Sequence, residues 1–186
     1  AETSERVLSG LDAGAIDFVQ KPTALATEKV YDLGEELVSK ILAAPEARLG
    51  RVGEVTPAEP LPPVSYSGRY DVVVIGVSTG GPQGLKSVIP RLPAEFPVPL
   101  VIVLHMPIGY TEAYAKRLDE ASELTVLEAR EGEILRPGLV LVAPAGRHLT
   151  FHRNGDGETS VRLHVRPLDT PHRPSVDVLF QSAADV

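Results

Sequence analysis

The chain of 186 residues contains no cysteine, no tryptophan and a single methionine, and aromatic residues make up only 5% of it. Without cysteine, neither disulfide bonds nor thiolate metal sites can form. The lack of cysteine also agrees with a reducing compartment, and we expect a cytoplasmic location.

Positive charge and long apolar segments are scarce as well. Lys and Arg number 18 against 25 Asp and Glu, so the formal net charge is -7. Nucleic-acid binding would lack its usual electrostatic driving force. The longest apolar runs, near 71–77 and 98–105, fall far short of the about 20 residues that span a bilayer, and the N-terminus has no signal-peptide core. We expect no nucleic-acid partner and no direct membrane insertion.

What is present divides the chain into three predicted zones. Residues 1–43 show a short amphipathic helix that ends near Gly14, a strand over 15–19 and a helix from about Thr27 to Ala43. Residues 44–69 carry five prolines and no regular apolar period, which is typical of a linker. Residues 70–186 form the main body. Because residue 1 is not Met and the last helical pattern has no stop signal, we expect a piece of a longer protein.

The main body alternates predicted strands and helices. Segments 71–76 and 98–105 are continuous apolar strands, the pattern of strands covered on both faces. Helices are predicted over 82–92, after a Thr111 cap and after a Ser175 cap. Further strands are predicted at 124–128, 139–142, 148–152 and 160–166, the last two joined by a hairpin turn at 154–157. This order predicts an α/β fold with a doubly wound, mostly parallel sheet.

A glycine-rich turn follows the first strand of the main body. Residues 76–80 read Gly-Val-Ser-Thr-Gly, the G-x-S-x-G pattern of a serine nucleophile. We expect side chains at Gly76 or Gly80 to collide across so sharp a turn. A phosphate-binding turn and a purely structural turn are the alternatives. The dinucleotide fingerprint needs a glycine where Ser78 stands, and the lysine of a P-loop is missing.

A histidine ends the next strand. In a parallel sheet, neighbouring strands end on the same edge about 5 Å apart. If the two strands are neighbours, His105 can reach Ser78 and activate it as a base. The alternative is a histidine whose imidazole is satisfied by a nearby carbonyl.

The remaining histidines give weaker signals. His148 and His152 share one face of a predicted strand, but no clear third ligand accompanies them, so we expect no metal site. His172 and Arg173 precede the last helix, where they could line a pocket or contact solvent.

Together these motifs resemble the chemotaxis response-regulator methylesterases, the CheB family. The resemblance spans roughly residues 70–184 and is carried by segments 75–82, 104–107, 128–132, 142–144, 148–149 and 172–180. Residues 14–22 also resemble the last strand of a flavodoxin-like receiver domain and its Lys-Pro pair. That resemblance assigns a phosphoryl contact to Lys21 and predicts a cis Lys21–Pro22 bond.

The resemblance implies a function. Such enzymes hydrolyse glutamate methyl esters on the cytoplasmic part of methyl-accepting chemoreceptors, many deamidate receptor glutamines, and phosphorylation of the receiver by the chemotaxis histidine kinase relieves its block. Ser78 would be the nucleophile and His105 the base. The turn residues Thr79, Gly80 and Gly81, with Met106, would form the oxyanion site. No cofactor is expected in the catalytic domain, and Mg²⁺ is expected only in the receiver's own active site.

The chain also departs from the family pattern. The aspartate that orients the histidine lies in a Thr-Gly-Met-Gly-x-Asp-Gly turn that this sequence lacks, and the phosphoacceptor aspartate is missing too. We assign Asp177 to the start of the last helix rather than to the triad. We therefore expect this polypeptide alone to be nearly inactive and its full-length parent to be active.

Two other functions remain as alternatives at this stage. One is a general serine esterase of α/β type, although such enzymes place the histidine late, after the acid. The other is a non-catalytic phosphate- or nucleotide-binding module that uses the Ser78–Gly81 turn.

Overall fold

The computed structural model describes residues 2–21, 27–46 and 70–186. At its centre lies a parallel sheet of four strands. The spatial order is β1-β2-β4-β3, and every neighbouring pair is parallel. The strands are β1 (Val73–Val77), β2 (Leu100–Leu104), β3 (Thr125–Glu128) and β4 (Leu139–Val142). An antiparallel hairpin of β5 (His148–Arg153) and β6 (Thr159–His164) forms a second sheet. The predicted α/β class and the parallel sheet are confirmed.

Five α-helices accompany these sheets in the described residues. They are α1 (Glu2–Asp12), α2 (Thr27–Ala43), α3 (Gly81–Val88), α4 (Thr111–Glu120) and α5 (Val176–Ala184). Short 3₁₀ segments extend α2 over Ala44–Glu46 and α3 over Ile89–Arg91. None of these helices has the length and apolar character that crossing a membrane requires.

The core lies on both faces of the parallel sheet, because side chains alternate along each strand. Ile102 and Leu104 of β2 point to one face, where they join residues of α1, α3 and α4. Val101 and Val103 point to the other face and join Leu149 of the hairpin, Leu179 of α5 and other apolar residues. Strands β2 and β4 are buried along their whole length.

Three local predictions were wrong. Segment 15–19 is not a strand, because no neighbouring strand pairs with it in the described residues; Phe18 instead packs on the ring of Tyr110. Strand β1 is only partly buried, because it lies at the edge of the described sheet with β2 as its neighbour. Thr111 is the first residue of α4 and not its cap; its hydroxyl donates to Glu128 and accepts from the Ala145 amide.

The other helix ends follow the sequence signals. Gly14 adopts a positive φ of 104° just after α1, and Ser175 caps α5 by accepting from the Val178 amide. The predicted cis Lys21–Pro22 bond and residues 47–69 of the predicted linker lie outside the described residues.

Candidate active site

Pairing of β1 with β2 brings the predicted serine and histidine to neighbouring strand ends. Val77 is in register with Leu104, and the His105 amide donates to the Val77 carbonyl at 3.2 Å. Ser78 and His105 are the next residues of the two strands, at the carboxyl edge of the sheet. The condition set by the sequence argument, that these strands be neighbours, is met.

The imidazole of His105 has both nitrogens available. Each is shielded from solvent, and neither has a hydrogen-bond partner in the described residues. Ser78 is exposed, and its hydroxyl makes no hydrogen bond to the imidazole in this arrangement. A catalytic histidine needs one nitrogen for the nucleophile and the other for an orienting acid. In this arrangement the imidazole therefore makes, with the described residues, neither of the two hydrogen bonds that a catalytic base needs.

Burial sets the charge of this histidine. The pKa of His105 is lowered from its ordinary value of 6.5, mainly by burial and further by the charge of His172. The Pro174 carbonyl acts in the opposite direction, although it does not form a hydrogen bond of normal geometry. His105 is consequently neutral at pH 7, which is the form that can accept a proton.

In the described part of the chain, backbone amides without a carbonyl partner follow both Ser78 and His105 in sequence. Gly80 is the N-cap of α3 with a φ of 76°, and the Gly81 amide donates to the Ser78 carbonyl at 2.7 Å. Within the described residues the amides of Thr79 and Met106 are not engaged by any carbonyl. The Thr79 amide follows the nucleophile near the N-terminus of α3, where negative charge is stabilised, and the Met106 amide follows His105 at the end of the neighbouring strand.

The glycines of the turn are required for reasons that differ from the prediction. A Cβ on Gly76 would lie 2.6 Å from Cγ2 of Val176 in α5 and closer still to Cγ1. A Cβ on Gly80 would meet nothing within 4 Å, so its positive φ is the constraint there. The collision across the turn occurs instead at Gly81, whose Cβ would lie 2.9 Å from that of Val77.

The sequence left the roles of His172 and Arg173 undecided; the structure places His172 against His105, whereas Arg173 acts on the buried His148, whose pKa is lowered mainly by burial and further by the charge of Arg173. The rings of His105 and His172 have centroids 4.2 Å apart with an interplanar angle of 36°. The Nε atom of Arg173 is shielded from solvent and has no partner in the described residues. Their only sequence signal was a position just before the N-terminus of α5.

The other candidate residues are not brought into this site. His148 is fully buried; its Nε2 lies 3.0 Å from the Pro167 carbonyl, and its Nδ1 accepts from the Ser175 amide. Asp177 is exposed in the first turn of α5. Lys21 is exposed and forms no ion pair with any described residue. No group of three potential ligand residues in the described part could hold a metal ion.

The contact between Gly76 and Val176 generates a prediction. Gly76→Ala should lower the free energy of unfolding by about 1–3 kcal/mol, because a methyl group must displace the packed start of α5. Gly84→Ala is the matched control, since its Cβ would meet nothing within 4 Å and it lies inside α3. It should stabilise the fold by about 0.5–1 kcal/mol. Urea unfolding followed by circular dichroism measures both; equal stability of the two variants would contradict the prediction.

Comparison with known proteins identifies the family. The CheB methylesterase model matches residues 73–186. Protein-glutamate methylesterase/protein-glutamine glutaminase 5 of Myxococcus xanthus is 48% identical over 190 aligned residues, which cover 98% of this chain and 53% of that protein. The protein-glutamate methylesterase/protein-glutamine glutaminase of Halalkalibacterium halodurans is 43% identical over 190 aligned residues, with the same two coverages.

A solved structure agrees with these matches. The catalytic domain of the Thermotoga maritima CheB methylesterase superimposes with a TM-score of 0.61 at 44% identity, covering 64% of this chain and 62% of that one. The chain spans about half the length of the relatives named above. From the family model, the sequence identities and the shared fold, we conclude that the chain belongs to the CheB methylesterase family.

Proposed function

We propose that the full-length protein hydrolyses glutamate methyl esters on chemoreceptors and deamidates receptor glutamines, the two reactions for which its relatives are named. The observation that carries the proposal is the placement of Ser78 and His105 at neighbouring strand ends, with neither imidazole nitrogen engaged in a hydrogen bond among the described residues. Family membership favours this reading over a general serine esterase or a nucleotide-binding module.

The proposed reaction proceeds by acyl transfer. The Ser78 hydroxyl attacks the ester carbonyl while His105 takes its proton. The amides of Thr79 and Met106 stabilise the oxyanion. His105 then returns the proton to the departing methoxide, which leaves as methanol, or to the side-chain amide nitrogen of a glutamine, which leaves as ammonia. Water hydrolyses the acyl-enzyme by the same proton transfers in reverse, and an aspartate outside this sequence orients the base.

The partners follow from the same proposal. The substrate is the cytoplasmic part of a methyl-accepting chemoreceptor, so the protein would act in the cytoplasm. A chemotaxis histidine kinase would phosphorylate a receiver domain that ends with residues 1–43, joined through the linker 44–69 to the catalytic residues 70–186. The acyl transfer itself uses no cofactor. Mg²⁺ would be held by receiver carboxylates, whereas the one residue assigned to that site here, Lys21, is a cation.

Contacts of α1 support regulation by the receiver. Arg117 of α4 forms ion pairs with Glu5, at 2.8 Å, and with Asp12. Lys86 of α3 pairs with Asp12 at 2.8 Å, and the Gln83 side-chain amide of α3 donates to the Leu11 carbonyl. Helix α3 begins just after Ser78, so α1 holds the helix that carries the nucleophile turn. We propose that phosphorylation loosens these contacts.

A second tie couples α4 to the same turn. The Tyr114 hydroxyl donates to the Pro82 carbonyl at 2.9 Å, and burial together with Asp12 raises the pKa of Tyr114. Pro82 lies in the first turn of α3. A displacement of α1 would therefore shift both α3 and α4, the two helices that border the nucleophile turn.

Substitution of the nucleophile tests the proposed reaction. In the full-length protein, Ser78→Ala should lower the rate of methanol release from methylated receptor by about 10⁴-fold or more, because the acyl-enzyme can no longer form. His105→Gln should cause a loss of similar size, and the double variant should be no worse than either single one, since the two residues act as a unit.

Ser87→Ala is the matched control. Ser87 is an exposed serine of α3, the helix that follows the nucleophile turn, and its substitution should leave activity unchanged. Near-native rates for Ser78→Ala, with circular dichroism unchanged, would rule out the serine mechanism.

The pH dependence tests the role of His105. Acyl transfer needs the neutral imidazole, and burial lowers the pKa of His105 below 6.5 in the folded protein. The neutral form therefore persists to lower pH than for an exposed histidine. NMR titration of His105 in residues 1–186, which lack the orienting aspartate, should therefore give a midpoint below pH 6.5. A midpoint above that value would contradict the effect of burial on this imidazole.

The contacts of α1 predict a gain of activity. Arg117→Ala in the unphosphorylated full-length protein should raise kcat/KM by up to about fivefold, because two partly exposed ion pairs contribute roughly 1 kcal/mol together. Lys116→Ala is the control, since Lys116 is 77% exposed on the same helix and its nearest acidic oxygen is 4.0 Å away. Equal activity of both variants would argue against restraint by α1.

A further inference from the structure

We propose that His172 is a positioning residue that holds the plane of the His105 imidazole by stacking on its face. The proposal rests on the proposed function, because the orientation that matters is the one that lets His105 take the Ser78 proton.

The ring contact is close. The two imidazole centroids lie 4.2 Å apart with an interplanar angle of 36°. Other ring pairs in the described residues are wider, at 5.1 Å for Phe18–Tyr110 and 5.8 Å for His148–His164. His172 thus covers one face of the His105 ring.

No hydrogen bond of normal geometry in the described residues fixes the same ring. Both nitrogens of His105 lack hydrogen-bond partners there, and the terminal torsion of a histidine has broad minima. A carboxylate on one nitrogen would fix the direction of the ring edge. The His172 ring, stacked on the face of His105, restricts rotation of the imidazole out of its own plane. The carboxylate and the stacked ring therefore restrain different motions of His105.

The segment that carries His172 is itself anchored. The Gly146 amide donates to the Arg173 carbonyl at 2.9 Å, and the Ser175 amide donates to Nδ1 of the buried His148 at 3.2 Å. Pro174 and Ser175 are buried, and Val176 packs against Gly76. We call residues 172–176 the strap. The strap fixes the backbone beside His172, although the His172 side chain is exposed.

The charge of His172 acts on the same partner. A proton on His172 disfavours a second proton on His105, and this effect comes after burial among the causes that lower the pKa of His105. The Pro174 carbonyl, also in the strap, raises the pKa of His105 and so opposes the effects of burial and of His172. Removing the charge of His172 should therefore raise the pKa of His105.

Two substitutions separate the ring from the charge. In the full-length protein, His172→Ala removes both, whereas His172→Phe keeps an aromatic face and removes the charge. We expect His172→Ala to lower kcat about 3- to 10-fold, the scale of one aromatic pair, with KM changed less than twofold. His172→Phe should recover most of kcat. In both variants the acid limb of kcat/KM should move to higher pH. His152→Ala, an exposed histidine on β5, is the control and should match the unmodified protein.

A readout without catalysis separates this proposal from the proposed function. With isotope-labelled histidine, NMR titration follows His105 whether or not the protein hydrolyses esters. The ring-current shift of the His105 protons should disappear in His172→Ala and persist in His172→Phe, and the His105 midpoint should rise in both. If these shifts are observed in a protein without esterase activity, the proposed function is wrong, whereas the contact between the His105 and His172 rings is supported.

Three outcomes would overturn the positioning role. The first is a His172→Ala variant with unchanged kcat and an unchanged His105 titration. The second is an equal loss of kcat in the Ala and Phe variants with no movement of the acid limb, which would indicate a structural role alone. The third is a change confined to KM, which would make His172 a substrate contact.

Discussion

The parallel pairing of β1 with β2 is the interaction on which the candidate site depends. Five consecutive residue pairs in register, from Val73 with Leu100 to Val77 with Leu104, fix which residues emerge together at the carboxyl edge. A shift by one residue would turn the side chains of β1 to the opposite face of the sheet and separate Ser78 from His105. Burial holds the register, because every residue of β2 is enclosed between the two halves of the core.

The packing of α5 against β1 is the second constraint on the site. It depends on Gly76, which has no side chain where α5 approaches the strand. Gly76 leaves the space that Val176 fills, so the strand that leads to the nucleophile also seats the strap that carries His172. The same strap is bonded to His148, whose imidazole accepts from the Ser175 amide and whose other nitrogen lies against the Pro167 carbonyl. A buried histidine far from Ser78 in sequence thereby stabilises the surroundings of the base without taking part in proton transfer. Gly76 therefore has a role in placing both the serine and the imidazole beside it.

The sequence was sufficient for features encoded by short-range patterns and insufficient for contacts between distant segments. Apolar runs and caps predicted the parallel strands, the hairpin and the start of α5, since burial and capping leave local signals. The strand predicted at 15–19 failed because pairing depends on a neighbour that local patterns cannot supply. His172 stacks on His105, although 67 positions separate the two residues in sequence (172 − 105). Only the fold of the intervening strands brings them together. The same holds for Gly76, whose partner lies in α5.

The environment of His105 explains why a complete site needs an acid. Burial and the charge of His172 both favour the neutral imidazole and lower its pKa. A base that is too weak accepts the serine proton poorly, and general-base catalysis works best with a pKa near the working pH. A carboxylate on the open nitrogen would stabilise the imidazolium and raise the pKa again. The residues in this chain thus hold the base in its neutral form and exclude water from its nitrogens, while the partner acid would restore its strength as the proton is transferred. Two opposing effects on one ring give a base that is neutral before the reaction and stabilised as a cation during it.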